Sequence, residues 1–261
     1  MLKFSQANAK IEALKQVGEL SEYLDGKKVY SLDLLSGYSC PFAHECLSKA
    51  VEDENGKRKI KDGLHTQFRC FSASQEVQYT NVYNLRKHNL DLLSDGSNMQ
   101  EMQYHIQQAL PKDAGIVRIH VAGDFFNESY MLAWYYVAKM NPHILFYAYT
   151  KSIPYWVSLF VGITGEFELK NFVLTASYGG RFDNLIDENN LRSTKVVYSE
   201  DEAVELGLEI DHDDSHAARP SLRDKHFALL IHGTQPKGSE ASEALKILRR
   251  ENVRHSYSRK V

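Results

Sequence analysis

Apolar and polar residues follow one another along this chain in two rhythms, and their succession outlines an α/β protein. Residues 6–24 place Ala9, Ile11, Leu14, Val17 and Leu20 near helical spacing, which predicts an N-terminal helix. After Asp25-Gly26, KVYSLDLL (28–35) is a short apolar run suited to a buried strand, and it leads straight into Ser36-Gly37. The charged stretch EDENGKRKIKDG (52–63) carries two glycines and predicts a surface loop or hairpin. Residues 74–93 and 99–110 read as helices, with Pro111 and Gly115 marking the join that follows.

From residue 115 onward one unit recurs. GIVRIHVA (115–122) ends in Gly123-Asp124, and a helix follows with Asn127 as N-cap and Met131, Trp134, Tyr135 and Ala138 on one face. ILFYAY (144–149) ends in Thr150-Lys151-Ser152, and FVLTA (172–176) ends in Ser177-Tyr178-Gly179-Gly180. KVVYS (195–199) precedes a short acidic helix near 200–206. FALLIH (227–232) precedes Gly233-Thr234-Gln235 and a last helix over 239–250. Short apolar strands alternating with helices imply parallel strands joined by right-handed crossovers. Roughly six strands fall short of the eight of a closed barrel. The expectation is therefore α/β: a partial (β/α) barrel of mostly parallel strands with an N-terminal helical elaboration. No Pro/Gly/Ser-rich linker divides the chain, so residues 1–261 read as one domain. Within it, 1–27 form the N-terminal helix, 28–235 the partial barrel, and 236–261 a C-terminal helix and basic tail.

Composition narrows the function classes. A net charge of −3 removes any global electrostatic case for nucleic-acid binding. The locally basic end (Arg249, Arg250, Arg254, Arg259) reads as a solvated helix end and tail. No apolar run reaches the ~18 residues of a membrane span, and MLKFSQANAKIEALKQ lacks the apolar core of a signal peptide. The expected location is the cytoplasm, with no membrane partner, where thiols stay reduced.

That setting gives weight to the three cysteines. They lie in GYSCPFAHEC, then, after 23 residues, in FRCFSAS, as Cys40, Cys46 and Cys70. Their number and spacing do not suit a disulfide framework and suit metal ligands. Cys40 falls just past the first strand of the series, on a loop opened by Gly37 and turned by Pro41, where parallel α/β folds place ligands. Thiolate softness selects iron–sulfur or zinc over magnesium or calcium. Three thiolates can hold three irons of a [4Fe-4S] cluster, leaving the fourth open. The rivals are a structural Cys3His zinc site with His44 or His65, and three ordinary buried thiols.

Tyr149, Thr150 and Lys151 end a strand and can line the same pocket, although a lysine there is expected to be solvated. His120 reads as a hydrogen-bonded core residue. DHDDSHAARP (211–220) has the composition of a polar surface loop, with a metal site through His212, Asp213, Asp214 and His216 as its rival. Phosphate-binding, dinucleotide-binding and α/β-hydrolase motifs are all missing from the sequence.

The strings SGYSCPFAHEC…CFSAS, RIHVAGDFFNESYMLAWYYVAKMNPHILFYAYTKS and NFVLTASYGGRFDN resemble the bacteriophage gene-product-88-like proteins, over residues 32–234. The order of elements also resembles, at the level of architecture, the partial barrel of radical S-adenosylmethionine enzymes. The cysteine spacing C-x5-C departs from the compact three-cysteine motif of that superfamily, and Gly123-Asp124-Phe125-Phe126 replaces its usual glycine-acid element. The second resemblance implies that Gly123 and Asp124 accept hydrogen bonds from the amino group of S-adenosylmethionine and that Ser177 reaches its ribose. It also implies a host electron donor and a substrate, small-molecule or host-derived, above the strand ends. A phage origin places the protein in the host cytoplasm. Three functions stay open: an iron–sulfur protein with radical chemistry, an electron-transfer or redox-sensing cluster protein, and a zinc-stapled interaction protein. A metal-dependent hydrolase at His120 or the Asp/His segment is the remaining possibility.

Overall fold

A computed structural model describes residues 1–96, 98–162, 168–251 and 253. The chain starts with β1 (Ser5–Gln6), α1 (Ala9–Glu12), two 3-10 turns (Ala13–Gln16 and Gly18–Leu20) and α2 (Ser21–Leu24). The expected single N-terminal helix is thus broken. Val17 is extended (φ −87°, ψ 105°) and Gly18 follows it, two poor helix formers in succession. The breaks let Ile11, Leu14 and Leu20 all bury against the sheet, so packing overrides local periodicity.

Next come β2 (Lys28–Leu32) and the hairpin of β3 (Ser48–Glu52) and β4 (Arg58–Asp62), the second of the two alternatives, loop or hairpin, that residues 52–63 offered. Two helices, α3 (Phe71–Gln78) and α4 (Thr80–Ser94), meet at an extended Tyr79 (φ −118°, ψ 106°), and α5 (Met99–Ala109) starts on an Asn98–Glu101 capping box. The alternating series then runs β5 (Ala114–Ile119), α6 (Glu128–Met140), β6 (Leu145–Thr150), α7 (Ile153–Phe160), β7 (Phe172–Ser177), α8 (Asn184–Glu188) and β8 (Ser193–Val197). It closes with α9 (Glu200–Glu205), β9 (Glu209–Ile210), α10 (Ser215–Ala218), β10 (Phe227–Leu230) and α11 (Glu240–Arg250). Asn127 caps α6 as its position suggested, accepting the Tyr130 backbone N–H at 2.7 Å.

The main sheet has the order β1-β2-β5-β6-β7-β8-β10-β9, with β1 antiparallel and all other pairs parallel. The six expected strands are its parallel core. Among the described residues no ladder joins β9 to β1, so the structure shows the expected α/β class with a mostly parallel central sheet and no barrel closure.

Successive residues of each strand face opposite layers. On one face Leu32, Val117, Phe146 and Ala148 pack against Tyr130, Met131 and Trp134 of α6 and Met102 and Ile106 of α5. Each large apolar side chain buried there contributes roughly 1.5–3 kcal/mol. On the other face Val29, Ile116, Leu145 and Tyr147 meet the N-terminal turns together with Ala217 and Ala218 of α10.

That second face corrects the reading of residues 211–220. Asp211 and Asp214 are buried, and Asp214 adopts a left-handed backbone (φ 64°). Its carboxylate pairs with Arg118 and accepts hydrogen bonds from the hydroxyls of Tyr147 (2.9 Å) and Tyr149 (3.3 Å). A polar strand face thus meets a polar segment, and each satisfies the other. Arg249 and Arg250 are exposed at the end of α11, while Arg254 and Arg259 lie outside the described residues. No helix among the described residues is long and apolar enough to cross a membrane.

Candidate metal centre

All three cysteines are free and half-buried at the carboxyl end of the parallel strands. They arrive from two segments, and each segment is fastened separately. The Cys40–Cys46 loop is strapped to the turn after β7. His44 and Glu45 N–H donate to the Gly179 carbonyl (3.2 and 3.0 Å), Arg181 N–H donates to the Phe42 carbonyl (2.9 Å), and Ala43 bridges Gly180. Gly179 has φ +90°, and a Cβ there would meet Glu45 Oε2 at 2.9 Å, so both the turn and the approach favour glycine. Cys70 is held by a separate strap. Gln235, after β10, accepts the Arg69 N–H at 2.6 Å and donates to the carbonyls of Arg69 (3.1 Å) and His232 (2.9 Å).

The thiols feel one another. Burial pushes all three up, and the charges of Cys70 and Cys46 add to the rise at Cys40. Cys70 is pushed up to about 11 by burial and then by Cys46 and Glu76. Backbone N–H groups oppose this: Gly37 donates to Cys40 Sγ at 3.3 Å, and those of Ser72 and Ala73, in the first turn of α3, favour the Cys70 thiolate. Such N–H···S contacts are what a metal-bound thiolate uses. The Lys151 ammonium favours the thiolate at Cys46.

Among the described residues no group of three His, Cys, Asp or Glu side chains is placed to share one metal ion. A tetrahedral zinc ion with Zn–S of about 2.3 Å needs its donors packed around a single point. A polynuclear cluster instead bonds each thiolate to a different iron and takes more widely spaced donors. Three free thiols, with N–H groups directed at Cys40 and Cys70, are donors of the soft type that zinc and iron–sulfur clusters both take. His44 and His65 stack on each other at 4.5 Å, and His65 is exposed.

The remaining candidates are already in use within the chain. Asp124 accepts from Thr150 Oγ1 (2.6 Å) and the backbone N–H groups of Lys151 and Phe125 (both 2.8 Å); burial outweighs these bonds and lifts its carboxyl to about 6. Gly123 (φ +93°) seats the cysteine loop, since a Cβ there would lie 2.6 Å from Ser39 Oγ and 2.8 Å from Leu34 Cβ. Ser177 Oγ accepts from Lys151 Nζ at 2.6 Å. Lys151 is buried rather than solvated, because the Tyr178 carbonyl (2.7 Å) and Ser177 replace water around its ammonium. Tyr149 points away, to the Asp211–Asp214 face. Sequence reading missed Glu76, Gln235 and Asp33. Asp33 Oδ1 accepts the Val121 N–H at 2.7 Å and ties the end of β2 to that of β5; its place at a strand end was the one available signal.

His120 lies just past β5 with φ +69°, buried, its Nε2 2.9 Å from the Tyr130 hydroxyl. Burial, and secondarily Arg118, lower it to about 3. Folding therefore favours neutral His120, and its contribution is full above pH 6.5 and lost as pH falls toward 3. Asp124 acts with the opposite sign, its contribution being lost as pH rises through about 6. His120→Asn, which tolerates the left-handed backbone, is expected to remove a slope of up to about 1.4 kcal/mol per pH unit. Urea denaturation of both proteins at pH 7, 5 and 4 measures the difference.

Fold and site together define a mostly parallel α/β protein with three thiols gathered at the carboxyl edge of its sheet. The chain belongs to the gene product 88 family, whose model matches residues 2–250. No curated protein and no solved structure matches it.

Proposed function

We propose that this is an iron–sulfur protein in which Cys40, Cys46 and Cys70 hold one [4Fe-4S] cluster. The observation that carries this reading is the convergence of three free thiols from two segments, with backbone N–H groups directed at Cys40 and Cys70. When bound, such a cluster supplies one-electron chemistry and leaves one iron without a cysteine. The chain's own residues supply the surroundings. Lys151 sets a positive charge beside Cys46, and Asp124 fixes the backbone of Lys151 at the strand end.

The role we favour is electron transfer or redox sensing. The atoms through which Asp124 and Ser177 would hold S-adenosylmethionine already bond to Thr150, Lys151 and Phe125. Anaerobic reconstitution with iron and sulfide is expected to give brown protein absorbing broadly at about 400 nm. Colourless protein with stoichiometric zinc and no cluster after reconstitution would overturn the proposal. Release of 5′-deoxyadenosine from S-adenosylmethionine by the reduced protein would reverse the choice of role while leaving the cluster in place.

A further inference from the structure

A second candidate site lies elsewhere in the molecule and shares no residue with the cysteines. Among the described residues β8 pairs with β7 at Ala176 and Ser177 alone, so the first half of β7 has β6 on one side and no paired strand on the other. A cavity of about 260 Å³ opens beside that half-strand. One wall is aromatic: Tyr135 and Phe160 have ring centroids 5.3 Å apart, and Phe172 meets both edge-on at 6.1 and 5.8 Å. Another wall carries two arginines, Arg192 and Arg223.

Neither guanidinium has an ion-pair partner among the described residues. Among the described residues Arg192 makes one hydrogen bond, from Nη2 to the His216 carbonyl at 2.7 Å, while its Nε and Nη1 and the Nε of Arg223 have no partner there. Burial lowers both, Arg192 to about 10. Elsewhere the chain gives its buried arginines carboxylates, Asp214 for Arg118 and Glu76 for Arg86. Arg192 and Arg223 are half-buried, and two partly desolvated cations at one cavity, with no ion pair among the described residues, leave a demand for negative charge. Glu168 also lines the cavity but is exposed, and Asp224, Glu168 and Glu22 act on Arg223, as Asp211 and Asp224 do on Arg192, through space and without forming an ion pair among the described residues.

We propose that this cavity binds a small organic oxyanion, a carboxylate or phosphate ester carried on a flat aromatic body. Arg192 and Arg223 take the oxyanion through guanidinium forks, and Tyr135, Phe160 and Phe172 take the ring. The shared chemistry is an anion on an aromatic frame, and the choice between carboxylate and phosphate is left to the titration.

Calorimetric titration of the full chain with adenosine 5′-monophosphate and with indole-3-acetate tests this against adenosine, indole and inorganic phosphate. At least one of the two anions is expected to bind with Kd at or below about 1 mM. Its neutral counterpart and inorganic phosphate alone are expected to bind at least about tenfold more weakly. Arg223→Gln, which removes no side-chain hydrogen bond among the described residues, is expected to weaken binding about tenfold or more and to leave the unliganded Tm unchanged or higher. Arg192→Lys keeps the charge and loses the fork, and serves as the second variant. Equal binding of anion and neutral counterpart, or wild-type affinity in both variants, would overturn the proposal. Inorganic phosphate binding as tightly as the nucleotide would overturn the aromatic half of it.

Discussion

Alanine at Cys40, Cys46 or Cys70, one position at a time, is expected to abolish the absorbance at about 400 nm and reduce bound iron and sulfide to background after anaerobic reconstitution. With three thiolates available, the loss of one leaves two, too few to anchor the cluster that the full set would hold. The same thiols predict how loading depends on pH. Burial holds all three above the ordinary thiol range, and neighbouring thiols add to the rise at Cys40 and at Cys70, which stands at about 11, so they are neutral at pH 7 in the unloaded protein. Each bond to iron must release a proton. Loading is therefore expected to strengthen from pH 7 to pH 9, and a pH indicator should register proton release as iron and sulfide are added. A Cys70→Ala protein that retains a full cluster would remove Cys70 from the ligand set. Loading that is flat with pH would mean that the ligands are not these buried neutral thiols.

Glu76→Ala is expected to destabilise the protein by about 3–5 kcal/mol, a fall in Tm on the order of 10 °C for a chain of this size. Glu76 is fully buried in α3, the helix that Cys70 opens. Its carboxylate accepts the Ser36 N–H (3.0 Å), the Ser36 hydroxyl (2.7 Å) and Arg86 Nη1 (3.0 Å). Arg86, itself buried, loses its one carboxylate partner in the alanine variant, and an uncompensated buried cation is the larger part of the penalty. Glu76→Gln keeps the shape and one acceptor, and burial already pushes the Glu76 carboxyl up, so a smaller loss is expected. Because Ser36 precedes the Cys40 loop, Glu76 joins the two cysteine-bearing segments. The alanine variant is expected to retain less iron even at temperatures where it stays folded. Thermal denaturation and iron analysis on the same preparation check both effects. A Tm change under about 2 °C would show that Arg86 finds another partner.

The elements that could be read in advance were those whose signal is local. Six apolar runs became the six long parallel strands, and Asn127 capped α6, because periodicity and capping act over a few residues. Local signals misled where distant packing dominated. The N-terminal helix broke at Val17-Gly18 so that Ile11, Leu14 and Leu20 could all reach the sheet. Residues 211–220, polar enough for a surface loop, were drawn inside by Arg118, Tyr147 and Tyr149. Lys151 is buried because carbonyls of the next strand end stand ready to receive its ammonium.

The sequence by itself determined the α/β class and the order of the strands along the chain, and it singled out three thiols as candidate soft ligands. Only the tertiary structure decided the order of the strands across the sheet, that Gly123 and Gly179 seat the cysteine loop, and that Asp124 and Ser177 spend their hydrogen bonds on the chain itself. The reason is the length of the connections. Ser36 meets Glu76 across 40 residues, Arg118 meets Asp214 across 96, and Gln235 holds Arg69 across 166. No periodicity in the chain encodes such pairings, which form only when the parallel strands bring their carboxyl ends and their polar face into register.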